Sequence, residues 1–171
     1  MARACAQLGA SSKTVELLTG LPKATLRREV FSGNVPRGRP RHAADAFERS
    51  TWPRRLQLSA FAAKFHSLRT LGFGRSESLL ASYRHFLSYA PTPAISFDEA
   101  FFLVCLLEGA YGHDSARLRL VQCSECSGRY VSLYLRTRDH CPYCRPPPPR
   151  IVARTAQEVD PCDRGVRAHP T

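Results

Sequence analysis

The sequence predicts a mainly α-helical protein: a helical domain with a helix-turn-helix-like N-terminal segment, followed by a small C-terminal ribbon built on four cysteines. Three observations carry this expectation. Apolar residues recur at helical spacing between Val15 and Leu107. Glycine and proline interrupt that pattern at Gly20, Gly72 and Pro91. Two Cys-x2-Cys pairs, Cys123/Cys126 and Cys141/Cys144, then bracket one alternating segment. With 171 residues and 43% hydrophobic side chains the chain can bury one core, which excludes a collagenous, mucin-like or wholly disordered protein.

The first helix expected runs from Ser11 to Leu18 with Val15 and Leu18 on one face, and Thr19-Gly20 stops it. Pro22 suits the first turn of a second helix, about 22–31, with Leu26 and Val30 facing inward and Lys23, Arg27 and Arg28 outward. Helix, glycine turn and basic helix is the outline of a helix-turn-helix, although two short packed helices with a solvated basic face share it. Pro36-Arg37-Gly38-Arg39-Pro40-Arg41 cannot be regular helix and reads as an extended basic arm or a plain linker. Its Arg-Gly-Arg-Pro core has the form of arms whose arginines enter a narrow minor groove.

Three core helices follow. Pro53 opens one running to about Leu71, with Leu58, Phe61, Phe65 and Leu68 at helical spacing. Ser76 is the expected cap of the next, which presents Leu79, Leu80, Tyr83, Phe86 and Leu87. Ser96-Phe97-Asp98-Glu99 is a capping box opening a third helix, apolar nearly all round, which belongs either at the centre of the core or against a partner chain. Trp52, Phe61 and Phe102 read as core aromatics. Beyond Arg117 the pattern turns to strand, clearest from Tyr130 to Leu135. The domain division expected is 1–116 for the helices, 117–145 for the ribbon, and 146–171 for a Pro-rich disordered tail.

Cys123, Cys126, Cys141 and Cys144 have the spacing of a structural zinc site. Each Cys-x2-Cys turn supplies two sulfurs and the hairpin between returns the chain, with Gly128 and Pro142 placed for tight turns. Two disulfides or a redox Cys-x2-Cys are the competing readings. Four thiolates fill the coordination sphere of one Zn2+, so the expected role is structural and not catalytic. His140 is expected near the surface, and Cys105 in the core.

The composition bounds the function further. Lys and Arg number 25 against 14 Asp and Glu, a net charge of +11, which points to a polyanionic partner. Residues 1–60 carry +7, residues 61–110 are neutral and residues 111–171 carry +4. The longest apolar run, Phe101 to Leu107, is too short to span a bilayer, and no signal-peptide pattern opens the sequence, so a cytoplasmic, membrane-free protein is expected. No phosphate-cradling glycine loop, Gly-x-Ser-x-Gly elbow or His-Glu-x-x-His pair is present, and an enzyme is not expected.

The order of features resembles a known family. Gln7-Leu8-Gly9-Ala10, Thr19-Gly20-Leu21-Pro22 with Leu26-Arg27, and Gly33 with Pro36-Arg37-Gly38 look like the opening of the flagellar transcriptional activator subunit FlhC. Tyr83-Arg84-His85-Phe86-Leu87 and Glu99-Ala100-Phe101 with Leu103 look like its central helices. Cys123, Cys126, Gly128, Tyr130-Val131, Cys141-Pro142-x-Cys144 and Pro146-Pro147 are similar to its zinc ribbon. The resemblance covers about residues 7–150. It implies a bacterial activator that joins FlhD in a hetero-oligomer of four FlhD and two FlhC chains, binds flagellar operon promoters and recruits RNA polymerase. It carries the four cysteines over as zinc ligands. The DNA-contact candidates Lys23, Arg27, Arg28, Arg37, Arg39 and Arg41 rest on charge and position alone.

In that family a further helix precedes the Leu-Gly-Ala segment, whereas this sequence starts almost at it. An FlhC-like activator of transfer genes on mobile elements is therefore an alternative expectation. A zinc-ribbon regulator that binds protein and never touches DNA is another, and zinc-dependent RNA binding a third.

Overall fold

The structure is a computed structural model and describes residues 1–31, 47, 50–90, 92–110, 118–134 and 140–144. The arm at 33–42 with Arg37, Arg39 and Arg41, the tail at 146–171, and Cys162 lie outside the described residues. Among the described residues the elements run α1 (Ala2–Gln7), α2 (Ser12–Thr19), α3 (Lys23–Glu29), α4 (Trp52–Thr70), α5 (Arg75–Tyr89), α6 (Phe97–Glu108), β1 (Leu118–Gln122) and β2 (Arg129–Leu133). The protein is mainly helical with one two-stranded antiparallel sheet, as the sequence predicts.

α1 is not foreseen by apolar spacing, because six residues are too few to display a period; it buries Cys5. α2 begins where the Ser11 side chain accepts from the Thr14 N–H. It ends at Gly20, whose φ of +69° only glycine adopts without strain. Pro22 is the N-cap of α3 and not its first residue, and the helix stops at Glu29, somewhat short of the expected Phe31. Leu26 is fully buried, while Val30 is only half-buried.

α4, α5 and α6 form the core around Phe61, whose ring meets those of Tyr83 and Phe86 edge-on at 6.3 and 6.4 Å. Tyr83 in turn meets Phe97 at 5.1 Å. Ser76 does not cap α5. Gly74 does, its N–H donating to the Glu77 carboxylate at 3.1 Å. The capping box of α6 forms as expected, with the Ser96 hydroxyl accepting from the Glu99 N–H and Glu99 accepting from the Ser96 N–H at 2.8 Å.

Seven of the twelve residues of α6 are buried within this chain. Of the two places open to so apolar a helix, it takes the centre of the core. Glu108 at its C-terminal end holds Arg69 of α4 at 2.9 Å and also Arg75 of α5, tying three helices together at one carboxylate. None of the described helices is long and apolar enough to cross a membrane.

β1 and β2 pair with Leu118 opposite Leu133 and Gln122 opposite Arg129. The alternation seen from Tyr130 onward is a strand, placed at Arg129–Leu133. Leu118 and Val131 enter the helical core, whereas Tyr130 packs with Cys123 and Cys141 in a second, small cluster. The sheet therefore has one face on α4 and α6 and one on the cysteines.

Candidate metal centre and basic helix

Two short turns present the four cysteines. In the first, Ser127 donates its N–H to the Cys123 carbonyl at 2.9 Å, and Cys123 donates to the Gly128 carbonyl at 2.9 Å. This turn needs one residue at positive φ, and Ser127 supplies it at +59°. Gly128 has a different task from the turn expected of it. A Cβ there would lie 3.0 Å from the Tyr143 ring and 3.2 Å from the Cys126 sulfur, so the two turns meet closely over a residue without a side chain, and a larger one would press on both. Tyr143 is fixed across that gap by donating its hydroxyl to the Arg129 carbonyl at 3.1 Å.

The four sulfurs of Cys123, Cys126, Cys141 and Cys144 lie within 4.8 Å of one another. Cys123 and Cys144 approach to 3.7 Å, and Cys126 and Cys141 to 3.8 Å. Both separations are far longer than the roughly 2.05 Å of a disulfide, which removes the disulfide reading. Hydrogen bonds from the Cys126 and Glu125 backbone N–H groups bring the Cys123 thiol down to about 7. Burial pushes the Cys141 thiol up. The Cys144 thiol is also raised, first by its hydrogen bond with the Cys126 sulfur and then by burial. Four thiols gathered this closely are a donor set for a soft divalent ion, and this group can hold a metal ion. His140 is exposed and the four-sulfur group closes without it. Cys5 and Cys105 are fully buried in the helical core, where burial raises both thiols, Cys105 to about 12.

The centre is bolted to α4 at two points that sequence reasoning missed. Trp52 is half-buried, but its indole N–H donates to the Pro142 carbonyl in the second cysteine turn at 2.9 Å. One signal could have found it: a tryptophan that is partly buried needs a partner for its N–H. Two helical turns further along the same face, the buried Ser59 hydroxyl accepts from the Val131 N–H of β2 at 3.1 Å. Nothing in the sequence marks Ser59, because a buried serine among apolar neighbours looks like any small core residue.

The structure places Lys23, Arg27 and Arg28 on the exposed side of α3, with Leu26 inward. Arg28 pairs with Glu29 at 2.9 Å on open surface, a contact worth little. Among the described residues Lys23 and Arg27 form no ion pair. The helical hairpin buries Val15, Leu18 and Leu26 in the shared core and is also joined to α6 through Ser11, whose N–H donates to Asp98 at 2.9 Å. Asp98, in the first turn of α6, thus ties that helix to the hairpin while Ser96 and Glu99 do the capping.

No family model matches the sequence, and no curated protein matches it either.

Proposed function

We propose that this chain is a DNA-binding transcriptional activator subunit of the FlhC type, with one structural Zn2+ in the four-cysteine centre. The observation that carries the reading is the hairpin Ser12–Glu29: a helix closed by Gly20, then a short helix offering Lys23, Arg27 and Arg28 to solvent. A helix-turn-helix needs that construction, because its second helix must enter a groove lined with phosphates. The +7 charge of residues 1–60 adds to it.

Zinc is the metal best matched to the centre. Four thiolates at about 2.3 Å from a tetrahedral ion are about 3.8 Å apart, close to the 3.7 and 3.8 Å of the two nearest sulfur pairs. With no ligand position left for water, the ion supports the ribbon and performs no reaction. The family reading adds a FlhD-like partner in a heterohexamer, flagellar promoters as targets and RNA polymerase as the recruited enzyme. A nearly all-apolar helix fits a regulator that contacts only protein as well, but α6 lies largely buried in its own core and so lends that alternative no separate support.

Promoter binding with the partner present tests this reading. Log affinity should fall steeply with log salt, by about 0.9 for each phosphate neutralised, so K23A/R27A/R28A should flatten the slope by up to about 2.7. A wild-type affinity that barely changes between low and moderate salt overturns the reading.

A further inference from the structure

The metal centre and the basic hairpin are separate in sequence, yet hydrogen bonds from the first two turns of α4 and the first turn of α6, connected along those helices, join them. We infer that metal binding at the four cysteines governs the order of the hairpin α2–α3, with Trp52 and Asp98 as the positioning residues. This inference rests on the reading that the centre holds zinc.

The route begins at Pro142, between two of the cysteines, whose carbonyl accepts from Trp52 at 2.9 Å. Trp52 is the first residue of α4, and the N-cap residue Thr51 makes no side-chain capping bond. The start of this helix thus leans on the cysteine turn, where helices usually rely on a local cap. From the same two turns Arg54 donates to the Ala94 carbonyl at 2.7 Å and to Glu99 at 2.5 Å, while Gln57 accepts from the Ala94 N–H at 2.8 Å. They grip the turn before α6 from both sides. Beside Glu99 on that helix, Asp98 accepts from the Ser11 N–H at 2.9 Å, and Ser11 is the N-cap of α2.

Each link has a state in which it is lost. Among the described residues the ribbon cluster has Cys123, Tyr130 and Cys141 as buried side chains, with Val121 and Cys144 partly buried against them, too few to hold the second turn without the ion. Released, that turn takes its carbonyl from Trp52, and the uncapped start of α4 frays. Arg54 and Gln57 then no longer fix residue 94 and Glu99, and the α6 corner that receives Ser11 loosens. By linkage, whatever orders the hairpin must tighten metal binding by the same factor.

The test is amide exchange of the full chain, zinc-loaded and after chelation, read at Val15, Leu18 and Leu26, with zinc stoichiometry measured alongside. Chelation should speed exchange at these amides by about 5- to 150-fold, the ordinary range of coupling between sites. W52F keeps the ring and loses the donor. It should still bind one zinc while its hairpin exchange changes less than about twofold on chelation, against the coupling range given above. D98A should behave like W52F, and D98N, which keeps an acceptor oxygen for Ser11, should restore the wild-type response. Wild-type hairpin exchange indifferent to chelation, or W52F and D98A responding as strongly as wild type, overturns the coupling while leaving the zinc reading intact. Failure of the wild type to bind zinc overturns both.

Discussion

Replacing Gly128 by alanine probes the meeting of the two cysteine turns. The added methyl would sit 3.0 and 3.3 Å from two carbons of the Tyr143 ring and 3.2 Å from the Cys126 sulfur. The φ of Gly128 is not positive, so the backbone accepts alanine, and losing a glycine's freedom in the unfolded chain returns about 0.4–1 kcal/mol. Relief of the contact requires the Tyr143 ring to shift by a few tenths of an ångström, which strains its bond to the Arg129 carbonyl. Relief at the Cys126 sulfur would displace it from the four-cysteine group. Overpacking of this kind costs about 1–3 kcal/mol, so the net loss should be roughly 1–2 kcal/mol. If the ion holds the ribbon together, that loss appears as weaker zinc affinity, by about 5- to 30-fold at 1.4 kcal/mol per decade. A competition titration against a chromophoric chelator measures it. In a Y143S background most of the clash is gone, and the penalty of G128A should shrink to a few tenths of a kcal/mol, leaving only the sulfur contact. An equal penalty in both backgrounds would refute the steric account.

Three further outcomes follow from the same geometry. C141S should lose stoichiometric metal, and because Trp52 is the single tryptophan and sits against Pro142, its emission should move to the red as the turn departs. An unchanged spectrum with metal lost would separate Trp52 from the ribbon. S82A should be neutral or stabilising by up to about 1 kcal/mol in urea denaturation, since the Ser82 hydroxyl is fully buried with no hydrogen-bond partner among the described residues and alanine removes a desolvated group. Glu99 should show in the acid limb: burial works to raise its carboxyl, but hydrogen bonds from Ser96 and Arg54 hold it below its ordinary 4.5. Its contribution is therefore complete above 4.5 and lost as pH falls through the lower folded value, so E99Q should flatten the fall of the urea midpoint in that window.

The centre was legible because metal chemistry writes itself into spacing. Two Cys-x2-Cys pairs around a hairpin-length segment need no tertiary knowledge to be paired, and the four sulfurs do converge. The helices from Trp52 to Glu108 were legible for a similar reason: each is long enough for its apolar residues to repeat, and the Ser96/Glu99 box and Gly20 mark ends by local bonding. α1 escaped because it spans under two turns, and the cap of α5 moved from Ser76 to Gly74 because Glu77 can serve a glycine N–H equally well.

What lay beyond the sequence depends on residues brought together from far along the chain. Whether α6 faces its own core or a partner is a question of what surrounds it, and its apolar composition satisfies both. Gly128 could be assigned a turn from spacing, but the close approach over it comes mainly from Tyr143, 15 positions later, and the positive φ falls on Ser127. Trp52 and Ser59 acquire their roles from Pro142 and Val131, respectively 90 and 72 residues away. Local sequence sets spacing, caps and ligand type, because these act within a few bonds along the chain. The attachment of the metal centre to α4 is decided only when the folded chain brings polar groups into a shared, water-poor interface, where each must find its partner.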